Sequence, residues 1–177
     1  MDKKSEFQYM VKAEMPKVYN LAYRLCGDFH QAKDITQETF LKAYQSFEKF
    51  EGRSQMFTYL YRITCNVWKN TLRKKRFKTF TSYSPENSSG ELDPPARDPS
   101  PYDEMQRSDR CRIVQKCLDS LPPAEKAIII LRDMEDRSYE EISSILNCRL
   151  GTVKSRLARA RKSLADRVLP FMEVMEK

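Results

Sequence analysis

The chain has 177 residues, of which 32% are charged, and its formal net charge is +7. This length suits one ordinary domain or two small ones, and neither arrangement buries a large core. The positive net charge favours a polyanionic partner, although a solvated basic surface gives the same total.

The cysteines and the N-terminal segment exclude further classes. The five cysteines are odd in number and never spaced C-x-x-C, so they predict neither a disulfide framework nor a metal site. We expect buried reduced thiols, with oxidant sensing as the alternative, at Cys26, Cys65, Cys111, Cys117 and Cys148. No stretch approaches the roughly 20 apolar residues of a membrane span, and the start lacks a signal-peptide core. We therefore expect a cytoplasmic protein without membrane insertion.

The spacing of apolar residues predicts an all-α fold of two small helical domains. Glycine occurs only four times, and apolar residues recur every three or four positions. Residues 84–104 instead hold five prolines and six acidic residues, a composition that cannot offset the entropy of ordering. We assign a domain to residues 1–80, a flexible acidic linker to 81–104 and a second domain to 105–177. The predicted helices are 3–14, 16–26, 29–46 and 55–76, then 104–120, 123–134, 138–147 and 151–167.

The helix predicted at 29–46 has two distinct faces. Its apolar side carries Ala32, Ile35, Phe40, Ala43 and Phe47 at helical spacing. Another face carries Asp34, Gln37, Glu38 and Leu41. Carboxylates, an amide and a leucine make a plausible docking patch for a basic helix of a partner. Periodicity alone favours the alternative, a solvated face.

The helix predicted at 55–76 interleaves aromatic, amide and basic side chains on one face. These are Tyr59, Arg62, Asn66, Lys69, Asn70 and Arg73. Aromatic rings stack on unpaired bases, amides read base edges and cations follow the backbone, as in single-strand binding. The preceding loop, Phe50 to Ser54, is placed to close over an extruded base.

A helix-turn-helix is predicted near the C-terminus. Ser138 and Glu141 have capping-box spacing, and a turn separates the two helices, made of Asn147, Cys148, Arg149, Leu150 and Gly151. In the second helix Val153, Leu157, Ala160 and Leu164 share an inward face. The opposite face carries Lys154, Ser155, Ala158, Arg159 and Lys162, flanked by Arg156 and Arg161. This composition is typical of a recognition helix in the major groove; a solvated amphipathic helix is the alternative.

Three segments in order resemble the extracytoplasmic-function (ECF) branch of bacterial sigma factors. DITQETFLKAY (34–44) is similar to region 2.2, FTYLYRITCN (57–66) to regions 2.3 and 2.4, and residues 121–164 to region 4. In two places the chain departs from the family. Tyr59 stands where tryptophan is usual, and Ala158 where some members place a bulky side chain, which puts promoter sequence in doubt rather than function.

The resemblance implies core RNA polymerase as partner, docked at its largest-subunit clamp helices and its flap region. The docking residues would be Asp34, Gln37, Glu38 and Leu41. Single-stranded minus-10 DNA would contact Phe50, Gly52, Arg53, Ser54, Tyr59, Tyr61, Arg62, Asn66, Lys69, Asn70 and Arg73. Duplex minus-35 DNA would contact Arg149, Thr152, Lys154, Ser155, Arg156, Arg159 and Arg161. An anti-sigma protein is also implied, and no cofactor is.

Two other functions compete with this interpretation. A stand-alone helix-turn-helix regulator explains the C-terminal domain but leaves the aromatic and basic helix without a role. An enzyme is the second rival, yet His30 is the only histidine and no nucleophile elbow, phosphate loop or metal cluster appears. We therefore expect a DNA-binding protein that is not an enzyme.

Overall fold

A computed structural model describes residues 3–47, 55–81 and 111–175. Regular structure within these ranges is helical throughout, which confirms the all-α prediction. The predicted base-capturing loop, with Phe50, Gly52, Arg53 and Ser54, lies outside the described residues, as does the predicted linker apart from Thr81. We call residues 3–81 the N-terminal unit and residues 111–175 the C-terminal unit.

The N-terminal unit consists of three helices, α1 (Lys3–Cys26), α2 (Phe29–Phe47) and α3 (Met56–Thr81). Two helices meeting at Pro16 were expected, and that prediction is wrong because α1 runs through the proline. Met10 before the proline and Val18 after it pack in the same apolar cluster. Their shared burial offsets the roughly 3 kcal/mol that an interior proline costs.

The contact between α1, α2 and α3 buries polar residues as well as apolar ones. Phe40, Ala43 and Leu60 lie in the cluster that includes Met10 and Val18. Three of the buried hydroxyls are paired within their own helices: Thr36 Oγ1 donates to the Ala32 carbonyl and Thr39 Oγ1 to the Ile35 carbonyl, each at 2.7 Å, and Thr64 Oγ1 to the Leu60 carbonyl at 2.8 Å. Donation to the carbonyl one turn earlier removes the cost of an unpaired buried hydroxyl. Thr36, Thr39 and Thr64 are therefore buried with their hydroxyls paired.

The C-terminal unit contains four α-helices. They are α4 (111–119 of the described residues), α5 (Pro123–Ile129), α6 (Tyr139–Leu146) and α7 (Leu150–Met175). Residues 104–110 of the predicted first helix fall outside the described ranges. The last helix extends well beyond the predicted end at 167, since Val168 continues the stripe of Leu157 and Leu164.

A π-helical segment, Ile130–Met134, follows α5 where a single α-helix was predicted to continue. The Glu135 N–H donates to the Ile130 carbonyl at 2.9 Å, five residues earlier. The chain then leaves the helix through Asp136, whose φ of 50° is left-handed. Segments of this kind are rare and occur often at functional sites.

The two units pack directly on each other. One apolar cluster contains Leu25 and Trp68 of the N-terminal unit together with Leu118 and Ile128 of the C-terminal unit. Gly27 closes α1 as predicted, with a φ of +71°. A Cβ at this glycine would lie 3.0 Å from the amide nitrogen of Gln115. Gly27 therefore serves both the left-handed helix end and the close approach of α4.

Candidate nucleic-acid interface

The capping box of the first helix of the helix-turn-helix is confirmed. Ser138 Oγ accepts from the Glu141 N–H at 3.1 Å, and the Ser138 N–H donates to Glu141 Oε2 at 2.7 Å. These bonds satisfy two backbone donors that the helix start would otherwise leave unpaired. Ile142 and Ile145 are buried behind them. The start of α6 is thereby fixed against the unit's core.

The turn between α6 and α7 is made by asparagine rather than glycine. Asn147 has φ 50° and ψ 57°, and its N–H donates to the Ser143 carbonyl. Ser143 Oγ in turn donates to the Cys148 carbonyl at 2.6 Å. Gly151, expected in the turn, lies inside α7, with open space where a Cβ would stand. Asn147 was predicted in the turn together with Gly151, and asparagine tolerates the left-handed backbone that the turn requires.

Helix α7 presents the predicted two faces. Val153, Leu157 and Ala160 are buried, and Leu164 packs half-buried against the same cluster. The opposite side is exposed along its length and carries Lys154, Ser155, Ala158, Arg159 and Lys162. Among the remaining predicted minus-35 residues, Arg149 is exposed and Thr152 and Arg156 are half-buried.

Arg161 differs from the other cations of α7 because it already has a partner. Its Nε donates to Asp133 Oδ2 at 3.1 Å, and its Nη2 bonds the other oxygen of the same carboxylate. This two-point contact raises the pKa of Arg161 above its ordinary value. A guanidinium held at two points has to give up this pair before it can contact a phosphate in the same geometry. Sequence spacing gave no sign of the pair.

The predicted docking face of α2 is at the surface. Asp34 and Gln37 are exposed, Leu41 retains 58% of its surface, and half-buried Glu38 pairs with Lys42 at 2.9 Å. Sequence reasoning missed Tyr44, which is 53% exposed one turn further along the helix. Tyr44 lies three residues after Leu41, and this helical spacing could have predicted that both side chains share one face. The patch thus contains two large apolar side chains beside its polar groups.

Helix α3 brings part of its predicted set together. Arg62, Asn66, Asn70 and Arg73 are exposed at spacings of three or four residues, and Lys69 is half-buried beside them. Their amides and cations form a continuous strip along the helix. This strip, Arg62 to Arg73, has the polarity required for a nucleic-acid backbone and base edges.

The two tyrosines of the predicted minus-10 set do not join this strip. Tyr59 turns into the N-terminal unit, where its hydroxyl lies 2.5 Å from Ser46 Oγ. Tyr61 is only 1% exposed and donates to Glu135 Oε2 at 2.8 Å. Burial, followed by the bond to Glu135, raises the pKa of Tyr61. Packing against α2 accounts for the placement of Tyr59, and packing against the C-terminal unit accounts for that of Tyr61. Spacing within α3 can reveal neither contact.

Arg62 connects the strip to the helix-turn-helix. Its Nε donates to the Ser144 carbonyl of α6 at 3.0 Å. It also lines an open polar groove of about 420 Å³, whose other lining residues are Ser143, Ser144, Asn147, Cys148 and Arg149. The N-terminal end of the strip therefore meets the helix-turn-helix directly.

The cysteines are free, but they are not uniformly buried. Cys65 and Cys117 are buried, Cys26 and Cys148 are half-buried, and Cys111 is exposed, contrary to expectation. Burial raises the pKa of Cys65 to about 12, so this thiol stays protonated at neutral pH. Within the described ranges, no group of three or more His, Cys, Asp or Glu side chains is arranged to hold a metal ion. None of the described helices is both long and apolar enough to cross a membrane.

Two family models match the chain in the order of its two units. Residues 10–78 match Sigma-70 region 2, and residues 111–164 match Sigma-70 region 4. The helical N-terminal unit and the helix-turn-helix unit therefore define a member of the sigma-70 class of transcription initiation factors.

Known relatives specify the branch. The ECF RNA polymerase sigma-E factor of Haemophilus influenzae is 36% identical, over 97% of this chain and 91% of that protein. The ECF sigma factor SigE of Mycolicibacterium smegmatis is 38% identical over 89% of this chain, which spans 59% of SigE. The chain belongs to the ECF family of RNA polymerase sigma factors.

A solved complex supports the same assignment at the level of structure. The sigma factor RpoE of Bartonella quintana, bound to its anti-sigma factor NepR, matches with a TM-score of 0.75 and 25% identity. The match covers 92% of this chain and 96% of RpoE. Both units together, rather than one of them, are therefore similar to that sigma factor.

Proposed function

We propose that this sigma factor binds core RNA polymerase, recognises the minus-35 element as duplex through α7, and reads the minus-10 element as single strand through α3. The observation that carries the proposal is the pair of separate basic surfaces, one in each unit, beside an exposed docking face on α2. A stand-alone regulator needs only the first of these surfaces.

The minus-35 contact is assigned to the exposed side of α7 and its start. Lys154, Ser155 and Arg159 are exposed there, with small residues between them that allow close approach to the groove. Arg149, Thr152 and Arg156 flank this surface at the helix start, and Arg161 lies on its edge. Long cations supply phosphate contacts and guanine contacts, so this surface provides both affinity and register.

The minus-10 contact is assigned to the strip on α3 and the loop before it. Arg62, Asn66, Lys69, Asn70 and Arg73 would hold the separated strand. Phe50, Gly52, Arg53 and Ser54 would enclose a flipped base. Tyr59 and Tyr61 belong to the same predicted set, but they face into the protein and would contact DNA only after becoming exposed. Binding bases only after they are unpaired shifts the duplex toward the open state by differential affinity.

Core polymerase docks on the α2 face in this proposal. Asp34, Gln37 and Glu38 would meet basic groups on the clamp helices, and Leu41 would supply the apolar contact. The C-terminal unit would contact the flap region. Since the polymerase performs the chemistry, the chain needs no cofactor and catalyses no reaction itself. It acts in the cytoplasm, and by likeness to the RpoE–NepR complex an anti-sigma protein restrains it.

Start-site sequencing of transcripts made with core polymerase and a promoter library tests the proposal. Specific starts that depend on the chain are expected, and both promoter elements follow from the starts by alignment. Asn66→Ala should lower transcription from linear duplex at least fivefold and spare a template already opened at minus-10. Asn20→Ala, an exposed asparagine on α1, is the matched control. Absence of specific starts would favour the stand-alone regulator.

A further inference from the structure

The groove between α3 and the helix-turn-helix is cationic. Its volume of about 420 Å³ lies within the roughly 300–1,000 Å³ of small-molecule sites. The residues that line it are Arg62, Ser143, Ser144, Asn147, Cys148 and Arg149. Neither a carboxylate nor an aromatic ring is among these lining residues, and both of their charged groups are guanidinium cations. The groove therefore attracts anions and offers no ring on which a nucleobase could stack.

Three carbonyl groups of the lining residues are already paired. The Ser144 carbonyl accepts from Arg62 Nε at 3.0 Å, and the Cys148 carbonyl accepts from Ser143 Oγ at 2.6 Å. The Ser143 carbonyl accepts from the backbone N–H groups of Asn147 and Cys148. Because each of these oxygens takes part in a hydrogen bond, its partial negative charge is compensated and repels an incoming anion less.

Hydrogen-bond donors, in contrast, remain available at the groove. Arg62 uses its Nε for the bond to Ser144, which leaves the N–H groups of both terminal nitrogens. Within the part of the chain that the structure describes, neither Arg62 nor Arg149 has a carboxylate at salt-bridge distance. Arg149 directly precedes Leu150, the first residue of α7, and the first N–H groups of a helix have no partner within that helix.

Phosphate groups match this set of donors in charge and in geometry. A guanidinium binds a phosphate at two points through parallel N–H groups, and a helix start favours an anion. The hydroxyl of Ser144 and the amide of Asn147 can donate to further oxygens. Both side chains are exposed at the groove. A groove with these donors and without aromatic rings selects phosphate and sugar oxygens rather than a base.

We propose that this groove is a binding site for a small phosphate-bearing ligand, a diphosphate or a sugar phosphate, held between Arg62 of α3 and Arg149 at the start of α7. The site itself does not depend on the proposed function. One consequence does, because the proposed function assigns both arginines to promoter DNA. Ligand and DNA then compete for the same two side chains, so a bound ligand lowers the affinity of the chain for its promoter.

Isothermal titration calorimetry of the full chain with sodium pyrophosphate, at about 0.15 M salt, tests the site. Loss of a charged hydrogen bond changes an equilibrium roughly tenfold, so Arg149→Ala and Arg62→Ala should each raise the Kd about tenfold. Ser144→Asp, which places a carboxylate in the groove, should raise it further. The matched control is Lys116→Ala, which removes an exposed cation of α4 outside the groove and should keep the wild-type Kd.

The same titration has outcomes that contradict the site. Equal weakening by Lys116→Ala and Arg149→Ala would show general attraction of an anion to a basic chain, and the site would be refuted. Arg62→Ala also removes the bond to the Ser144 carbonyl, so circular dichroism checks its fold. Arg149→Ala changes an exposed side chain and decides the result if Arg62→Ala misfolds.

Alkylation of Cys148 locates the ligand within the chain. Cys148 lines the groove, whereas Cys111 is exposed on α4 and does not line it. Peptide mapping after iodoacetamide treatment should show several-fold slower labelling of Cys148 with saturating pyrophosphate, and an unchanged rate for Cys111. Protection by ribose 5-phosphate as well would identify a sugar phosphate as the ligand class, and protection by pyrophosphate alone a diphosphate. Unprotected Cys148 at saturation would overturn the site.

A competition experiment separates the site from the proposed function. A fluorescent minus-35 duplex bound to the full chain is titrated with pyrophosphate, and with sodium chloride of equal ionic strength as the control. Displacement by pyrophosphate beyond that of the chloride control supports competition for Arg149. If calorimetry and Cys148 protection confirm the site but pyrophosphate displaces no more DNA than chloride, the role of Arg149 in DNA binding is refuted and the site stands.

Discussion

The pair between Arg161 and Asp133 leads to a test of which α7 cations are available to DNA. Asp133→Asn removes the carboxylate that holds the Arg161 guanidinium at two points and frees that side chain for a phosphate. One additional phosphate contact releases about 0.9 counterion, worth up to about eightfold in affinity at 0.1 M salt. Ordering the long side chain reduces the gain. We expect about fivefold tighter binding and a salt slope steeper by about 0.9.

The assay is fluorescence anisotropy of a minus-35 duplex with reconstituted holoenzyme across a salt series. Asp136→Asn is the control, because it changes the net charge equally in the same segment without releasing a cation of α7. A second control, Asp133→Asn with Arg161→Ala, should lose the gain. Equal salt slopes for Asp133→Asn and Asp136→Asn would show that Arg161 is not being held away from DNA, and the reasoning would be refuted.

Three further predictions concern the other elements. Ser138→Ala should lower the free energy of unfolding by about 1 kcal/mol through loss of the capping box, measured by denaturant titration, whereas Ser144→Ala at an exposed helical position should not. Leu41→Asp should weaken core polymerase binding roughly tenfold or more with an unchanged Tm, in a competition assay; a lowered Tm would indicate a structural role instead. In a thiol-reactivity time course at neutral pH, Cys111 should react first and Cys65 only on unfolding, because Cys65 is buried and its pKa is about 12. Rapid reaction of Cys65 in the folded chain would contradict its burial.

Features determined by neighbours in the chain were predictable from the sequence. The capping box of Ser138 and Glu141 and the inward stripe of Val153 and Leu157 depend on residues within a turn or two, so spacing was sufficient. The end of α1 at Gly27 followed from the same local chemistry.

Two helix boundaries were predicted wrongly. In one case tertiary burial overrode a local helix-breaking preference, and in the other two nearby residues could each have formed the left-handed turn. Pro16 predicted a break, but the apolar residues on both sides of it share one cluster. Asn147 and Gly151 were both predicted in the turn, but Asn147 carries the left-handed backbone and Gly151 belongs to α7. Each error concerns a boundary rather than the existence of a helix.

The least predictable features join residues far apart in the chain. Tyr61 is paired with Glu135, and Arg161 with Asp133. The spacing of residues within α3 or α7 cannot predict a hydrogen-bond partner that lies in another element. The sequence therefore shows which side chains a DNA surface contains, and only the tertiary structure shows which of them are already engaged.

The π-helical segment determines the directions in which the side chains of Asp133 and Glu135 leave the helix, and so which elements they contact. A π turn contains one residue more than an α turn, so the side chains that follow are rotated by about 100°. Asp133 is thereby directed toward α7 and Glu135 toward α1 and α3. Deleting a single residue from Ile130–Met134 would turn both side chains away from their partners together. Both the Asp133 contact with α7 and the Glu135 contact between the units therefore depend on the one additional residue of the π turn.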